Sequence, residues 1–152
     1  MSANGKEKII EYLKSNILVT DGAMGTYFAS LYDTKEPPEY CNIKDSKKIY
    51  DIHRQYIENG AKIIRTNLYA CNTFTLNYEI EDVKESIKCA CKIAREAAKG
   101  HEDIFIAGDI GPITYNHNDM QKQVSDEYVV IAKTMIESGV DAIVFETFPD
   151  MD

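Results

Sequence analysis

Two acidic residues stand directly after apolar runs of strand length: Asp21 follows Ile17-Leu18-Val19-Thr20, and Glu146 follows Ala142-Ile143-Val144-Phe145. Asp21 opens the stretch Asp21-Gly22-Ala23-Met24-Gly25-Thr26, where glycine leaves bare backbone N–H groups for a ligand to approach. Carboxylates grip an ammonium group, and exposed backbone N–H groups hold a carboxylate. A ligand of amino-acid type satisfies both. Two more polar clusters end apolar runs in the same way, Arg65-Thr66-Asn67 and Gly108-Asp109-Ile110-Gly111-Pro112. Thr66 and Asn67 either border the ligand or satisfy loop backbone, since both residue types do both. Asp21 has the competing use of a turn or helix cap, and Glu146 that of an ion pair with a rim lysine or arginine. Asp109, just ahead of Gly111-Pro112, reads as turn chemistry.

These clusters meet only if the apolar runs lie side by side, and the spacing along the chain predicts that they do. Apolar residues at helical intervals predict helices over Lys6 to Ser15, Asp45 to Asn59 and Asp82 to Lys99. A fourth starts at Ser125-Asp126-Glu127 and stops at Gly139, as the others stop at Gly60 and Gly100. Between them fall four strand-length runs: Ile17 to Thr20, Ala61 to Thr66, Ile104 to Ala107 and Ala142 to Phe145. The runs are apolar throughout instead of alternating, which indicates a parallel sheet covered by helices, an α/β fold. A faint echo supports a repeated unit: Ile57-Glu58-Asn59-Gly60 before one strand matches Ile136-Glu137-Ser138-Gly139 before another. In parallel α/β folds the site lies at the C-terminal ends of the strands, where all four polar clusters stand.

Composition bounds the function. The 152 residues are 44% apolar and 28% charged, the balance of one soluble globular domain. The unbroken runs Val129 to Ala132 and Ala142 to Phe145 are far short of the ~20 residues a membrane helix needs. Met1 to Lys8 is polar and charged, without the apolar centre of a secretory signal, so a cytoplasmic protein is expected. A net charge of −8 with no basic block repels phosphate backbones and argues against nucleic acid. The four cysteines form no metal-finger spacing: Cys89 and Cys91 point apart on a helix, and Cys41 and Cys71 sit in loop-like sequence. His53 lies beside core positions of a helix, and His101 and His117 sit in loops without a second histidine at metal spacing. The acidic run Glu79 to Glu85 reads as a solvated helix start, and Pro37-Pro38 as a surface loop.

Taken together, the blocks resemble a known family. Asp21-Gly22-Ala23-Met24-Gly25-Thr26 is similar to the D-G-[AG]-M-G-T motif of the homocysteine S-methyltransferase family. Arg65-Thr66-Asn67-Leu68-Tyr69-Ala70-Cys71-Asn72 resembles that family's x-T-N-T-[FY]-x-x-N segment, departing from it at Leu68. Gly108 to Pro112 resembles its G-x-[IL]-G-P turn, and Gly139-Val140-Asp141 through Phe145-Glu146-Thr147 its G-x-D-x-(apolar)-E-T strand. The four blocks stand in the family's order, over Ile17 to Asp152.

The resemblance implies the first half of a (β/α)8 barrel, with residues 1–152 as the N-terminal half and the C-terminal half-barrel as its missing partner. It implies L-homocysteine as ligand, with Asp21 and Glu146 on its ammonium and Gly22, Ala23, Thr66 and Asn67 bordering it. The family's reaction moves a methyl group onto the homocysteine thiolate to form methionine. Zinc held by three cysteines lowers the thiol pKa, and methylcobalamin or methyltetrahydrofolate serves as donor in some members. Those cysteines lie beyond the blocks matched here, so no metal ligand and no catalytic residue is assigned to this half. The chain alone is expected to be inactive. The alternative is a half-barrel that binds an amino acid or self-associates without catalysis. Tyr69 either lines the donor side of the pocket or packs under a loop.

Overall fold

The computed structural model of the chain describes residues 5–115 and 120–148. Expectations for the first four residues, for His117 and for the last four residues lie outside that range.

Three parallel strands form one sheet in the order β1 (Ile63–Arg65), β2 (Phe105–Ile110) and β3 (Ala142–Phe145). Arg65 stands beside Ala107, and Asp109 beside Val144. The α/β class with parallel strands is therefore as the apolar runs predict. The first predicted strand differs. Ile17 to Thr20 runs along β1 but makes a single parallel bridge, Thr20 to Ile63. Its backbone bonds are Lys62 N–H and Ile63 N–H to the Val19 carbonyl, at 2.7 and 3.1 Å, and Asp21 N–H to the Ile63 carbonyl, at 3.0 Å. It borders the sheet on one side only, so Ile17 stays 85% and Val19 50% exposed and the ladder stays short.

Strand periodicity then sorts the side chains. Ile64, Ile106 and Ile110 point to the helix layer, where they pack with Ile57, Ile87, Ala94 and Met135. Those partners come from α4 (Ser46–Glu58), α6 (Ile80–Ala98) and α7 (Gln121–Glu137). Ile63, Phe105 and Ala107 point to the other face, with Ala142 and Val144. Helix α1 (Gly5–Leu13) covers that face through Ile9 and Tyr12, whose ring meets Phe105 edge-on at 5.6 Å between centroids. One or two residues further along, the same inner face carries Arg65, Asp109 and Glu146 past the apolar plug.

Strand β2 is longer than its apolar run. Gly108 does not end it; a Cβ there would lie 2.6 Å from the Met135 sulfur, so glycine admits the close approach of α7. Asp109 is accordingly a buried strand residue and not part of a turn. Helices also start earlier than expected, α6 at Ile80 with a Glu79–Asp82 capping box and α7 at Gln121. Short elements carried no periodic signal: α2 (Met24–Tyr32), a 3-10 turn Pro38–Tyr40, α3 (Cys41–Lys44) and α5 (Thr73–Leu76). Phe28 of α2 packs on Ile49, Ile52 and Ile93. The N-terminus of α5 is held by Asn72 Oδ1, which accepts Thr75 N–H at 2.8 Å, and by Glu127, which accepts Thr73 N–H and Oγ1–H, both at 2.7 Å. Gly60, Gly100 and Gly139 end their helices with φ of 100°, 80° and 80°. Asp141 then ties β3 to β2, its Oδ2 accepting Ile106 N–H at 2.9 Å and Arg95 Nη1–H at 3.1 Å. Among the described residues no helix is long and apolar enough to cross a membrane.

Candidate functional site

A cleft of about 390 Å³ opens at the C-terminal ends of the strands. Its floor is Arg65, Asp109 and Glu146, and its walls are the Asp21-Gly22-Ala23 turn with the start of α2 on one side and Leu68 to Ala70 on the other. Asp21, Gly22, Ala23, Thr66, Asn67 and Glu146, the residues singled out in the sequence, all border it.

Arg65 organises the floor. Its Nε–H donates to Asp21 Oδ1 at 2.8 Å, and its backbone N–H to Asp21 Oδ2 at 2.9 Å. One terminal nitrogen pairs with Glu146 Oε2, and the other donates to the Gly22 carbonyl at 3.0 Å. Sequence reasoning placed Arg65 in the cluster without a role; the signal was its position two residues after inward-facing Ile63. Burial by itself lowers the Arg65 pKa, but bonds and charge from Asp21 and Glu146 outweigh it and leave the guanidinium more firmly protonated than usual. Burial raises the Asp21 pKa, with the Arg65 bonds opposing. Asp109 is raised to about 7, first by burial and then by the charge of Glu146.

Thr66 and Asn67 spend their polar groups on the protein. Thr66 Oγ1 accepts Asp109 N–H at 3.1 Å, and the Asn67 amide donates to Asn42 Oδ1 at 2.9 Å while its carbonyl accepts from Asn42 at 2.8 Å. The Thr66 hydroxyl thus meets a backbone N–H, and the Asn67 side chain pairs with that of Asn42. The Gly22 carbonyl is held by Arg65 and the Ala23 carbonyl by Tyr56 Oη–H at 3.1 Å. Ala23 is the N-cap of α2 and offers no side-chain cap, so the first N–H groups of that helix face the cleft without one. Glu39 is a wall residue that sequence reasoning missed: Oε1 accepts Ala70 N–H at 2.9 Å, and Oε2 is buried without a partner among the described residues.

Tyr69 closes the opposite side through a 2.7 Å hydrogen bond between its hydroxyl and Thr147 Oγ1. Thr147 has φ of 56°, a costly conformation for a β-branched residue and the kind found at ligand sites. Gly111 lies under the Tyr69 loop, its N–H donating to the Tyr69 carbonyl at 3.1 Å. A Cβ at Gly111 would sit 2.4 Å from that carbonyl oxygen. Gly111→Ala is expected to cost about 2 kcal/mol by displacing the loop, read as a lower denaturation midpoint at unchanged slope.

The thiols do not assemble a metal site. Burial pushes the Cys71 and Cys91 thiols up to about 12 and about 11; Cys41, on α3, and Cys89, on α6 with Cys91, are half-buried. Among the described residues no three histidines, cysteines or carboxylates stand close enough to hold a metal ion. The described residues do not fit zinc.

The comparisons give the family and the fold. The family model described as homocysteine S-methyltransferase matches residues 18–152. Methionine synthases of Mycobacterium leprae and Mycobacterium tuberculosis are each 29% identical over 160 residues, covering 94% of this chain and 13% of theirs. Among solved structures, the homocysteine methyltransferase MmuM from Escherichia coli in its metallated form superposes with a TM-score of 0.81 at 18% identity, over 94% of this chain and 58% of that one. The apo form gives 0.75 at 21% identity, over 94% and 54%. The chain thus spans a small fraction of the curated relatives and little over half of the solved ones.

Proposed function

This chain belongs to the homocysteine S-methyltransferase family, and from that premise we propose that it is the part of the barrel that binds the amino-acid end of L-homocysteine. One observation carries the reading: Asp21, Asp109 and Glu146 bring carboxylates to the same cleft that the N-terminus of α2 borders. The two poles match the ammonium and carboxylate of an amino acid, since a helix N-terminus favours an anion and carboxylates a cation. Gly22, Ala23, Thr66 and Asn67 shape the cleft between them.

The reaction we propose for the whole protein is methyl transfer to the homocysteine thiolate, forming methionine, with methylcobalamin or methyltetrahydrofolate as donor. Its thiol-activating zinc would be held outside these residues, in the C-terminal half-barrel that completes this one. The chain by itself is therefore proposed to bind and not to turn over. We place the protein in the cytoplasm, which four free cysteines support. Self-association is the second reading, favoured by Ile17 and Phe145, 85% and 60% exposed at the two margins of the sheet. A discrete dimer by light scattering would support it.

Glu146→Gln keeps the shape of the floor and removes one negative charge. It is expected to weaken L-homocysteine binding about 10-fold or more in titration calorimetry, the loss of a charged hydrogen bond. An unchanged dissociation constant would remove Glu146 from the ammonium site.

A further inference from the structure

Arg65 changes how the acidic floor can be used. Both oxygens of Asp21 are engaged by it, one by the guanidinium and one by the backbone N–H. The Asp21 side chain is only 3% exposed, and Arg65 holds two further acceptors, Gly22 O and Glu146 Oε2. An incoming ammonium could take Asp21 only by expelling a guanidinium that makes three hydrogen bonds. Asp21 and Arg65 neutralise each other where they stand.

Asp109 is in the opposite condition. It lies on the inner face of β2, 5% exposed, and its Oδ1 has no hydrogen-bond partner among the described residues. Glu146 stands close enough for its charge to raise the Asp109 pKa, and the backbone brings it alongside where the Glu146 N–H donates to the Ile110 carbonyl at 2.9 Å. A buried acceptor left empty in a ligand cleft is costly and is the position a donor would fill. Glu39 Oε2 is the other buried orphan on the wall, but among the described residues no second carboxylate contributes to its raised pKa.

Resting on the homocysteine-site reading, we propose that Asp109 together with Glu146 receives the ammonium group of the amino-acid ligand, and that Asp21 is a positioning residue acting through Arg65. An ammonium has three N–H donors and no acceptor; Arg65 engages both oxygens of Asp21 but only Oε2 of Glu146, so Asp109 with Glu146 suits it better.

The groups facing Asp109 are Glu146 from the end of β3, Arg65 from β1 and Asp21 from the turn before α2. A cation placed between Asp109 and Glu146 stabilises the ionised form of Asp109, whose pKa stands at about 7 in the free chain. At pH 6 ligand binding should then expel close to one proton.

The test is titration calorimetry of the 152-residue chain at pH 6 in two buffers of different ionisation heat. The probes are L-methionine, which has no thiol proton to confuse the count, and 4-(methylthio)butanoate, which lacks only the ammonium. The expected result is release of close to one proton with methionine, none with the desamino acid, and at least about 10-fold weaker binding of the latter. Asp109→Asn should abolish the proton release and erase most of the preference for methionine. Methionine binding by the unmodified chain without proton release would overturn the inference, and needs no variant to fold. So would unchanged affinity in Asp109→Asn, leaving the homocysteine reading intact. If neither probe binds, that reading falls and the inference with it.

Discussion

Replacing Arg65 by methionine is expected to lower the melting temperature of the chain by about 10 °C, at roughly 2–4 °C per kcal/mol for a domain of this size. The substitution keeps the aliphatic stem and removes the guanidinium, which leaves Asp21 nearly buried with neither oxygen bonded to a side-chain donor and Glu146 without its partner. Breaking a buried ion pair from one side costs about 3–5 kcal/mol, because the remaining charge has lost both water and its counter-ion. The backbone N–H of Arg65 still reaches Asp21, so the loss falls short of full isolation. Adding Asp21→Asn to Arg65→Met should recover part of the stability, since the stranded charge is gone. Thermal unfolding followed by circular dichroism checks both. A fall of less than about 2 °C for Arg65→Met would mean that the floor is solvated well enough to need no counter-ion.

Acid should expose a second weakness, at His53. This histidine is fully buried on α4, and neither ring nitrogen has a partner among the described residues. Burial lowers its pKa from 6.5 to about 4, so the folded chain holds it neutral. Below pH 6.5 the unfolded chain takes up a proton that the folded chain refuses until about pH 4. The contribution of His53 to stability is therefore intact above pH 6.5 and falls as pH drops through that window, by about 3 kcal/mol in total. Asp21, Glu39 and Asp109, all raised by burial, work in the opposite sense, so total stability alone does not isolate the effect. The difference between the parent and His53→Leu does. Urea unfolding should show the variant gaining on the parent by about 1.4 kcal/mol per pH unit between pH 6 and 4.5. A pH-independent difference would place an unrecognised proton acceptor or donor beside the ring.

Much of this architecture is legible because burial on both faces of a parallel sheet writes itself as uninterrupted apolar runs. Ala142 to Phe145 is a strand over the same four residues in sequence and structure, and the helix between Asp45 and Asn59 is off by one residue at each end. Legibility fails where a single partner decides the outcome. Gly108 looks like a stop, yet it is glycine because Met135 packs on it, and so β2 carries Asp109 into the cleft. Ile17 to Thr20 reads like the other runs but has sheet on one side only, so its pairing shrinks to a bridge. Helix α2 was hidden because the glycines that suggest a loop also tolerate its first turn. Among the site residues, position at strand ends brought Asp21, Thr66, Asn67 and Glu146 to one cleft, as the spacing implied. What spacing could not convey is which side chains are already spoken for. Arg65 bonded to Asp21, Asn42 bonded to Asn67 and Glu39 wedged under Ala70 are pairings between distant segments, with no local trace in the chain.

The most direct test of the account is a crystal structure of the chain grown with L-homocysteine. The ligand is expected in the strand-end cleft, with its ammonium against the Asp109–Glu146 side, its carboxylate at the first N–H groups of α2, and Arg65 still bonded to Asp21. Homocysteine seated elsewhere, or turned with its carboxylate on the acidic floor, would contradict the assignment of this cleft as the amino-acid site.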